Sequence, residues 1–190
     1  MSPDSPPPSP RPPHPLAVAL IECLRSQPHS RVVELGAGSG RNTVALRAAG
    51  LEVVALGEAG EPAHAAIATH DLLHGTPASI AARLRRLAAA LVVGAPLFAT
   101  FGSIHDARYG EGRSAEPFVF APTAGDERGV DHTYFDESRL RACLEPEWIV
   151  ESLREVDVDT IAGTWAHPTA PLRGAVHWFV TARKRRDPKP

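Results

Sequence analysis

The 190-residue sequence has few of the residues on which several classes of protein depend. It contains two cysteines, Cys23 and Cys143, and both fall in helical patterns, so we expect buried, reduced thiols and no disulfide framework. The sequence also lacks a cysteine cluster, a Ser-His-Asp spacing and a G-x-x-x-x-G-K phosphate loop. These absences argue against a disulfide scaffold, a serine hydrolase and a P-loop nucleotide hydrolase.

Long apolar runs and an excess of one charge are missing as well. The longest apolar stretch, residues 87–101, is interrupted by Gly94 and Pro96 and is shorter than the roughly 20 residues of a membrane helix. A formal net charge of −2 gives no general attraction to nucleic acid or to an anionic membrane. Prolines stand where a signal peptide would have its basic and apolar regions. We therefore expect a cytoplasmic protein whose partners include neither nucleic acid nor membrane.

The feature that is present is a glycine turn between two apolar runs within residues 31–58. The first run, residues 32–35, is suited to a buried strand, and a helical pattern over residues 42–49 precedes a second β-branched run at residues 53–56. Three glycines at alternate positions open the helix: Gly36, Gly38 and Gly40. This order predicts a right-handed βαβ unit with parallel strands. Glycines permit a sharp turn and a close ligand, and the N–H groups of a helix start bind polar or anionic atoms.

The spacing of the glycines indicates which ligand to expect. A dinucleotide fingerprint needs a glycine at the sixth position, where this chain has Arg41. Instead, Glu34 precedes a G-x-G-x-G pattern, which resembles the first motif of class I S-adenosylmethionine-dependent methyltransferases. The segment Gly38-Ser-Gly-Arg-Asn-Thr43 resembles the tellurite-resistance-like branch of small-molecule methyltransferases. The resemblance covers roughly residues 16–183.

The resemblance implies a fold, a cofactor and a set of binding residues. The fold is an α/β, Rossmann-like sandwich with a mostly parallel sheet and a C-terminal antiparallel hairpin. The cofactor is S-adenosyl-L-methionine, and the acceptor is a small molecule. An acidic residue after the second strand should bind the ribose, but Gly57 occupies the expected position and Glu58 follows one residue late. The candidate cofactor-binding residues are Glu34, Gly36, Ala37, Gly38, Gly40, Arg41, Asn42, Glu58, Thr69 and His70.

The interval after the second strand is shorter than the resemblance implies. A complete methyltransferase domain continues with a helix, a third strand and another helix, but only residues 57–64 precede a block, 65–75, that resembles the fourth strand and its loop. Eight extended residues span about 27 Å, enough to run back along a short strand. We predict that the third strand is missing, with a helix over residues 61–73 as the competing interpretation. The shortening makes a non-catalytic binding or scaffold protein the alternative to methyl transfer.

The remaining sequence is divided into elements by its caps and breakers. Thr76-Pro77 begins a helix that leaves Arg83 and Arg86 on a solvated face. A strand over residues 96–101, a helix that begins after Asp136, and a hairpin of residues 148–158 with 176–181 follow. The predicted domain organisation is a disordered proline-rich arm (1–15), one domain (16–183) and a basic tail (184–190). The chain is expected to be a monomer or a homodimer.

Residues 102–135 show no convincing regular element apart from residues 118–120. Because this stretch starts at the carboxyl end of a strand, where open α/β sheets bind ligands, we predict a substrate-facing lid. Its candidate catalytic residues are His105 and His132 as bases and Tyr134 as a hydroxyl that orients the substrate. His70 and His74 have the spacing of a zinc-protease motif, but the acid between them is aspartate, and we predict no metal site.

Overall fold

The computed structural model describes residues 11–58, 60–164 and 173–186. Most of the predicted proline-rich arm, residues 1–10, and the end of the basic tail, residues 187–190, lie outside this range. Within the described part, His14 is fully buried and its side chain caps the first helix. The folded core therefore begins before the predicted boundary at residue 16.

Four helices and nine strands make up the described chain. The helices are α1 (Pro15–Cys23), α2 (Arg41–Ala48), α3 (Pro77–Ala89) and α4 (Glu137–Leu144), with a single 3₁₀ turn at Asp71–Leu73. The strands are β1 (Arg31–Glu34), β2 (Glu52–Ala55), β3 (Ala65–Ala68), β4 (Pro96–Ser103), β5 (Arg113–Glu116), β6 (Val119–Ala121), β7 (His132–Phe135), β8 (Trp148–Asp157) and β9 (Val176–Lys184).

The sheet is parallel through its first four strands, in the order β2-β1-β3-β4. The register places Val33 opposite Val54 on one side and Ala66 on the other. Beyond β4, strand β9 runs antiparallel and pairs with β8 in a long hairpin. The predicted α/β fold, with a mostly parallel sheet and a C-terminal antiparallel hairpin, is confirmed.

Strands β2 and β3 lie on opposite sides of β1, and the chain connects them directly. The described residues between β2 and β3 contain no helix and no strand, and β2 has β1 as its strand partner. Residues 65–68 form a strand, so the competing prediction of a helix over residues 61–73 is wrong. All four residues of β3 are buried, three of them alanines, which allows the strand to fit between two neighbours under helices on both faces.

Alternate strand residues face two separate apolar layers, as the pleat of a strand requires. Val33 and Ala66 face the layer that contains the buried leucines of α3 and α4. Val32 and Ala65 face the layer that contains Leu20 of α1 and Leu46 of α2. The helices therefore cover both faces of the sheet, as in a three-layer sandwich.

The helix caps follow the sequence closely. Thr76 accepts a hydrogen bond from the backbone N–H of Ser79 and Pro77 occupies the first turn of α3, while Asp136 accepts from Arg139 at the start of α4.

The cysteine prediction is partly wrong. Both thiols are free, but Cys23 is exposed because α1 turns it outward, whereas burial raises the pKa of the half-buried Cys143 to about 11.

The predicted lid is more regular than its sequence indicates. Strands β5, β6 and β7 form an antiparallel unit within residues 102–135, where only residues 118–120 were expected to be regular. Strand β7 then joins the end of β4 in parallel, with Gly102 opposite Tyr134. The indole N–H of Trp178 on β9 donates to the carbonyl of Phe135 at 2.8 Å, which fixes the same end of β7.

Among the described residues, no helix has the length and apolar character required to cross a bilayer.

The contact between β4 and β7 predicts a strong effect of one methyl group. A Cβ on Gly102 would lie 2.7 Å from the backbone carbonyl oxygen of Thr133. We expect Gly102→Ala to lower the free energy of unfolding by about 1–3 kcal/mol, because backbone must move to relieve the overlap. Urea denaturation measures the change, and amide hydrogen exchange should show faster exchange in β7.

Gly129→Ala is the matched control for this substitution. Gly129 has a φ of +78° and open space around a Cβ. We therefore expect Gly129→Ala to lower the free energy of unfolding by about 1 kcal/mol through backbone strain alone. Amide hydrogen exchange in β7 should stay as slow as in the wild type. A Gly102→Ala protein as stable as the wild type would contradict the tight apposition of these strands.

Candidate active site

The glycine turn joins the end of β1 to the start of α2 and is open to solvent. Gly36, Gly38 and Gly40 all have positive φ angles, of 70°, 52° and 74°. A Cβ on Gly36 would lie 2.7 Å from Cβ of Asp71, whereas a Cβ on Gly38 would meet only a carbonyl oxygen 3.9 Å away. The side chain of Asp71 therefore leaves no room for a Cβ at position 36, whereas there is open space for one at position 38. The flanking strands pair side by side, and residues 36–39 are exposed.

A cavity of about 300 Å³ lies against this turn at the carboxyl ends of β1 and β3. The residues that line it are Gly36, Ala37, Gly38, Ser39, Arg41, Asn42, Thr69, His70, Asp71, His74 and Glu127. Seven of the ten predicted cofactor-binding residues are among them. Of the other three, Glu34 and Gly40 adjoin the turn at the end of β1 and at the N-cap of α2.

The side chain of Asn42 is buried and connects three segments. Its carbonyl oxygen accepts a hydrogen bond from the backbone N–H of His14 at 2.8 Å, and its amide donates to the hydroxyl of Thr69 at 2.9 Å. Asn42 therefore joins the start of α1, the start of α2 and the end of β3. Both the oxygen and the nitrogen of this amide are hydrogen-bonded within the protein, so Asn42 holds the wall of the cavity in place.

Glu34 is buried at the end of β1 with one carboxylate oxygen engaged. Thr43 of α2 donates its hydroxyl hydrogen bond to Oε2. Oε1 is buried without a hydrogen-bond partner in the described part of the chain. An acceptor left in this state costs about 1–3 kcal/mol, more when it is charged. The two oxygens of this carboxylate are therefore not equivalent: one has a donor and the other has none among the described residues.

Glu58 lies elsewhere. Its carboxylate accepts a hydrogen bond from the backbone N–H of Ala55 at 3.0 Å and so closes the turn that follows β2. It lines a different cavity, of about 180 Å³, together with Gly57 and Ala63. The structure does not bring Glu58 into the cavity of the glycine turn.

The loop after β3 is held by an arginine that the sequence placed on a solvated face. Arg83 of α3 donates to the backbone carbonyl and, at 2.6 Å, to the carboxylate of Asp71, and it also donates to the carbonyl of His74. The prediction of a solvated Arg83 is wrong, because the loop returns over α3. The helical periodicity alone carried no signal for this contact.

Three imidazole rings pack together on the other side of the cavity. His70 lies between His14 and His177, with ring centroids 5.6 Å and 5.9 Å away, and its Nε2 is 2.7 Å from the carbonyl oxygen of Thr164. Burial, together with the charges of His70 and Arg41, lowers the pKa of His14 to about 2. Burial likewise lowers the pKa of His177. These two rings are therefore neutral at physiological pH.

A second group joins the lid to the loop after β3. Nε2 of His132 lies 3.1 Å from Oε2 of Glu127, and Nε2 of His74 lies 3.2 Å from Oε1 of the same carboxylate. Burial acts to raise the pKa of Glu127, but the two imidazoles outweigh it and hold the pKa below its usual range. Sequence reasoning missed Glu127, since a lone glutamate in a loop has no distinguishing neighbour.

The three predicted catalytic residues do not converge. His105 is exposed, and its Nδ1 contacts Glu155 at 2.8 Å. His132 is buried behind Glu127, and Tyr134 packs edge to face with Tyr109 among the aromatic rings of the lid. Burial raises the pKa of Tyr134, which keeps its hydroxyl neutral. None of the three lines the cavity of the glycine turn, where His70, His74 and Glu127 are present instead.

Comparison with solved structures shows which fold this arrangement has. The 1,6-didemethyltoxoflavin-N1-methyltransferase of Burkholderia thailandensis, with bound 1,6-didemethyltoxoflavin and S-adenosylhomocysteine, superposes with a TM-score of 0.62 at 20% identity, over 90% of this chain and 77% of that one. The magnesium protoporphyrin IX methyltransferase of Synechocystis PCC 6803, with bound S-adenosylmethionine, gives 0.56 at 13% identity over 90% and 78%. The chain has the class I methyltransferase fold.

TehB of Haemophilus influenzae shares this methyltransferase fold, with a TM-score of 0.55 at 11% identity, over 88% of this chain and 62% of that one. The resemblance drawn from the Glu34–Thr43 segment is thus confirmed at the level of the fold. No protein-family model matches the sequence, and no curated protein matches it either.

The buried, neutral His14 predicts a pH dependence of stability. Its folded pKa of about 2 lies below the usual 6.5, so the unfolded chain takes up the proton first and stability falls as the pH drops below 6.5. In His14→Asn, which keeps an acceptor for the N–H of Leu16, the loss of unfolding free energy between pH 7 and pH 5 should be smaller by about 2 kcal/mol.

Urea denaturation at several pH values measures this difference. The substitution is expected to lower stability at pH 7 through lost packing, so the comparison concerns the slopes of the two pH profiles. Parallel profiles for the two proteins would contradict a neutral, buried His14.

Proposed function

We propose that the protein transfers a methyl group from S-adenosylmethionine to a small-molecule acceptor. The observation that carries the proposal is the open glycine turn next to a buried Glu34 whose Oε1 lacks a described partner. The alternative is a non-catalytic binding or scaffold protein that keeps the fold while the adenosine pocket has decayed. The exposure of residues 36–39 supports the enzyme.

The residues present fit the methionine half of the cofactor. An α-ammonium group carries positive charge and N–H donors, which match the unpaired oxygen of Glu34. The absence of a side chain at Gly38 leaves room for a ligand against the backbone. Thr43 fixes the carboxylate from the other side, so its orientation is set before a ligand arrives.

The residues that remain on the cavity wall suit the acceptor side. When bound, the cofactor supplies a methyl group activated by the adjacent sulfonium. The chain then has to hold the acceptor atom in line and exclude water, which is how alignment contributes to such reactions. Thr69 and His70 come from the end of β3, and His74 and Glu127 close the wall from the loop and the lid. Neighbours with the same fold, at 20% identity and below, act on small molecules, which supports this class of acceptor.

Calorimetric titration with S-adenosylhomocysteine tests the proposal. We expect micromolar binding by the wild type and binding about 10- to 100-fold weaker in Glu34→Gln, because a charged hydrogen bond is lost while the hydrogen bond from Thr43 can be kept. Gly38→Val should abolish binding, since it fills the space against the turn.

Gly94→Val is the matched control for Gly38→Val. Gly94 has a φ of +78° with open space around a Cβ, so it carries a similar backbone strain far from the cavity. It should bind the ligand as the wild type does. No heat of binding in the wild type at millimolar ligand would leave the scaffold interpretation standing.

A further inference from the structure

Three side chains that commonly bind metal ions meet beside the cavity. His74 comes from the loop after β3, Glu127 from the connection between β6 and β7, and His132 is the first residue of β7. One ligand atom from each residue lies within 4.8 Å of the other two. His132 is 2% exposed, while His74 and Glu127 border the cavity.

The contacts of His132 direct its Nε2 at the carboxylate of Glu127. Nδ1 of His132 lies 2.8 Å from the carbonyl oxygen of Val130, which only accepts hydrogen bonds, so Nδ1 carries a proton. In a neutral imidazole, Nε2 then presents a lone pair. That lone pair faces a carboxylate oxygen of Glu127 at 3.1 Å. The ring nitrogen and the carboxylate oxygen are both atoms through which a metal ion can be bound.

Contacts outside the two imidazole rings hold His74 and His132 together. The backbone N–H of Gly75 donates to the carbonyl of Asp131 at 2.6 Å, and the hydroxyl of Thr133 donates to the carbonyl of Gly75 at 2.5 Å. His74 and His132 themselves form an antiparallel bridge. The loop and the lid are therefore joined residue by residue next to the ligand atoms, which preorganises the group.

We propose that His74, Glu127 and His132 bind a divalent first-row transition metal ion and leave a coordination position open toward the cavity. Two imidazoles and one carboxylate are a ligand set that suits zinc and its neighbours. Ligands of a tetrahedral zinc ion are separated by about 3.3 Å. The histidine nitrogens lie 3.1 Å and 3.2 Å from different oxygens of Glu127, and the three ligand atoms lie within 4.8 Å of one another, so the group has to tighten around an ion. The contact of His132 with the Val130 carbonyl is the outer hydrogen bond that metal-bound histidines usually make.

The proposal changes the expectation drawn from the sequence. The sequence analysis considered the His70–His74 pair on a helix and predicted no metal. In the structure these two rings diverge, one toward Thr164 and the other toward Glu127. The role of the ion rests on the proposed function: the open position takes an oxygen, nitrogen or sulfur atom of the methyl acceptor. The acceptor class is therefore a small molecule with a metal-binding hydroxyl, thiol or ring nitrogen.

Titration of the chelator-treated full chain with Co²⁺, followed by visible absorption, tests the site. We expect saturation at one Co²⁺ per chain and displacement by Zn²⁺. Glu127→Gln and His74→Ala should weaken binding by more than the roughly 10- to 100-fold that loss of an outer hydrogen-bonding partner costs. Glu116→Gln, which changes an exposed glutamate of the lid, is the control and should bind as the wild type does.

Two further readouts separate misfolding and the proposed function from the metal site. Zn²⁺ should raise the thermal midpoint of the wild type and of Glu116→Gln, because a ligand that binds the folded state stabilises it, but not that of Glu127→Gln. S-adenosylhomocysteine binding by metal-free Glu127→Gln shows that this variant is folded.

The absence of saturable Co²⁺ binding, or equal affinity in the wild type and both ligand variants, would overturn the metal site. If the wild type binds S-adenosylhomocysteine but no metal, the metal inference alone fails. If it binds metal but not S-adenosylhomocysteine, the metal site stands and the proposed function fails.

Discussion

The buried amide of Asn42 holds together the part of the molecule on which the site depends. It accepts from the backbone of His14 and donates to Thr69, so one side chain connects the chain before α1 with the end of β3. Both partners are themselves buried. Because a buried amide that loses a partner costs about 1–3 kcal/mol, the three segments are fixed relative to one another. The glycine turn lies directly before Asn42, next to this connection.

Around this connection, the two halves of the cavity are built by different physical means. On the side proposed to bind the cofactor, positive φ angles and a missing side chain at Gly38 keep the backbone accessible, and Oε1 of Glu34 has no partner among the described residues. On the side proposed for the acceptor, charged and aromatic side chains dominate, with Glu127 contacting two imidazoles. The first half depends on local backbone conformation and the second on contacts between segments far apart in sequence. This difference explains why the two halves were not equally predictable.

Local features were read correctly from the sequence. The strand, turn, helix and strand of residues 31–56 follow from apolar runs and glycines, and Thr76 and Asp136 cap their helices as predicted. Even the direct connection to β3 was predictable, because residues 57–64 are too few for a strand with flanking helices. In each case the signal and the structure it determines lie within about ten residues of one another.

Long-range pairings were not readable in this way. Arg83 has the spacing of a surface residue, but the return of the loop over α3 gives it Asp71 as a partner. Asn42 was predicted as a ligand residue, and only the structure shows its amide engaged by His14 and Thr69. The three short strands of the lid were not predicted, because they pair with one another and with β4 and are too short to show a clear alternation of apolar and polar residues. Glu127 becomes significant only when the lid brings it to His74.

The central claim is that the turn after β1 receives the amino-acid half of S-adenosylmethionine. Amide chemical shifts of ¹⁵N-labelled protein during titration with S-adenosylhomocysteine test it most directly, because they locate the ligand residue by residue. The account predicts large, saturable shifts at residues 36–42 and 69–71 and little change at Gly110 and Gly112 of the lid. Shifts confined to residues 54–63, or no shifts at all, would contradict it.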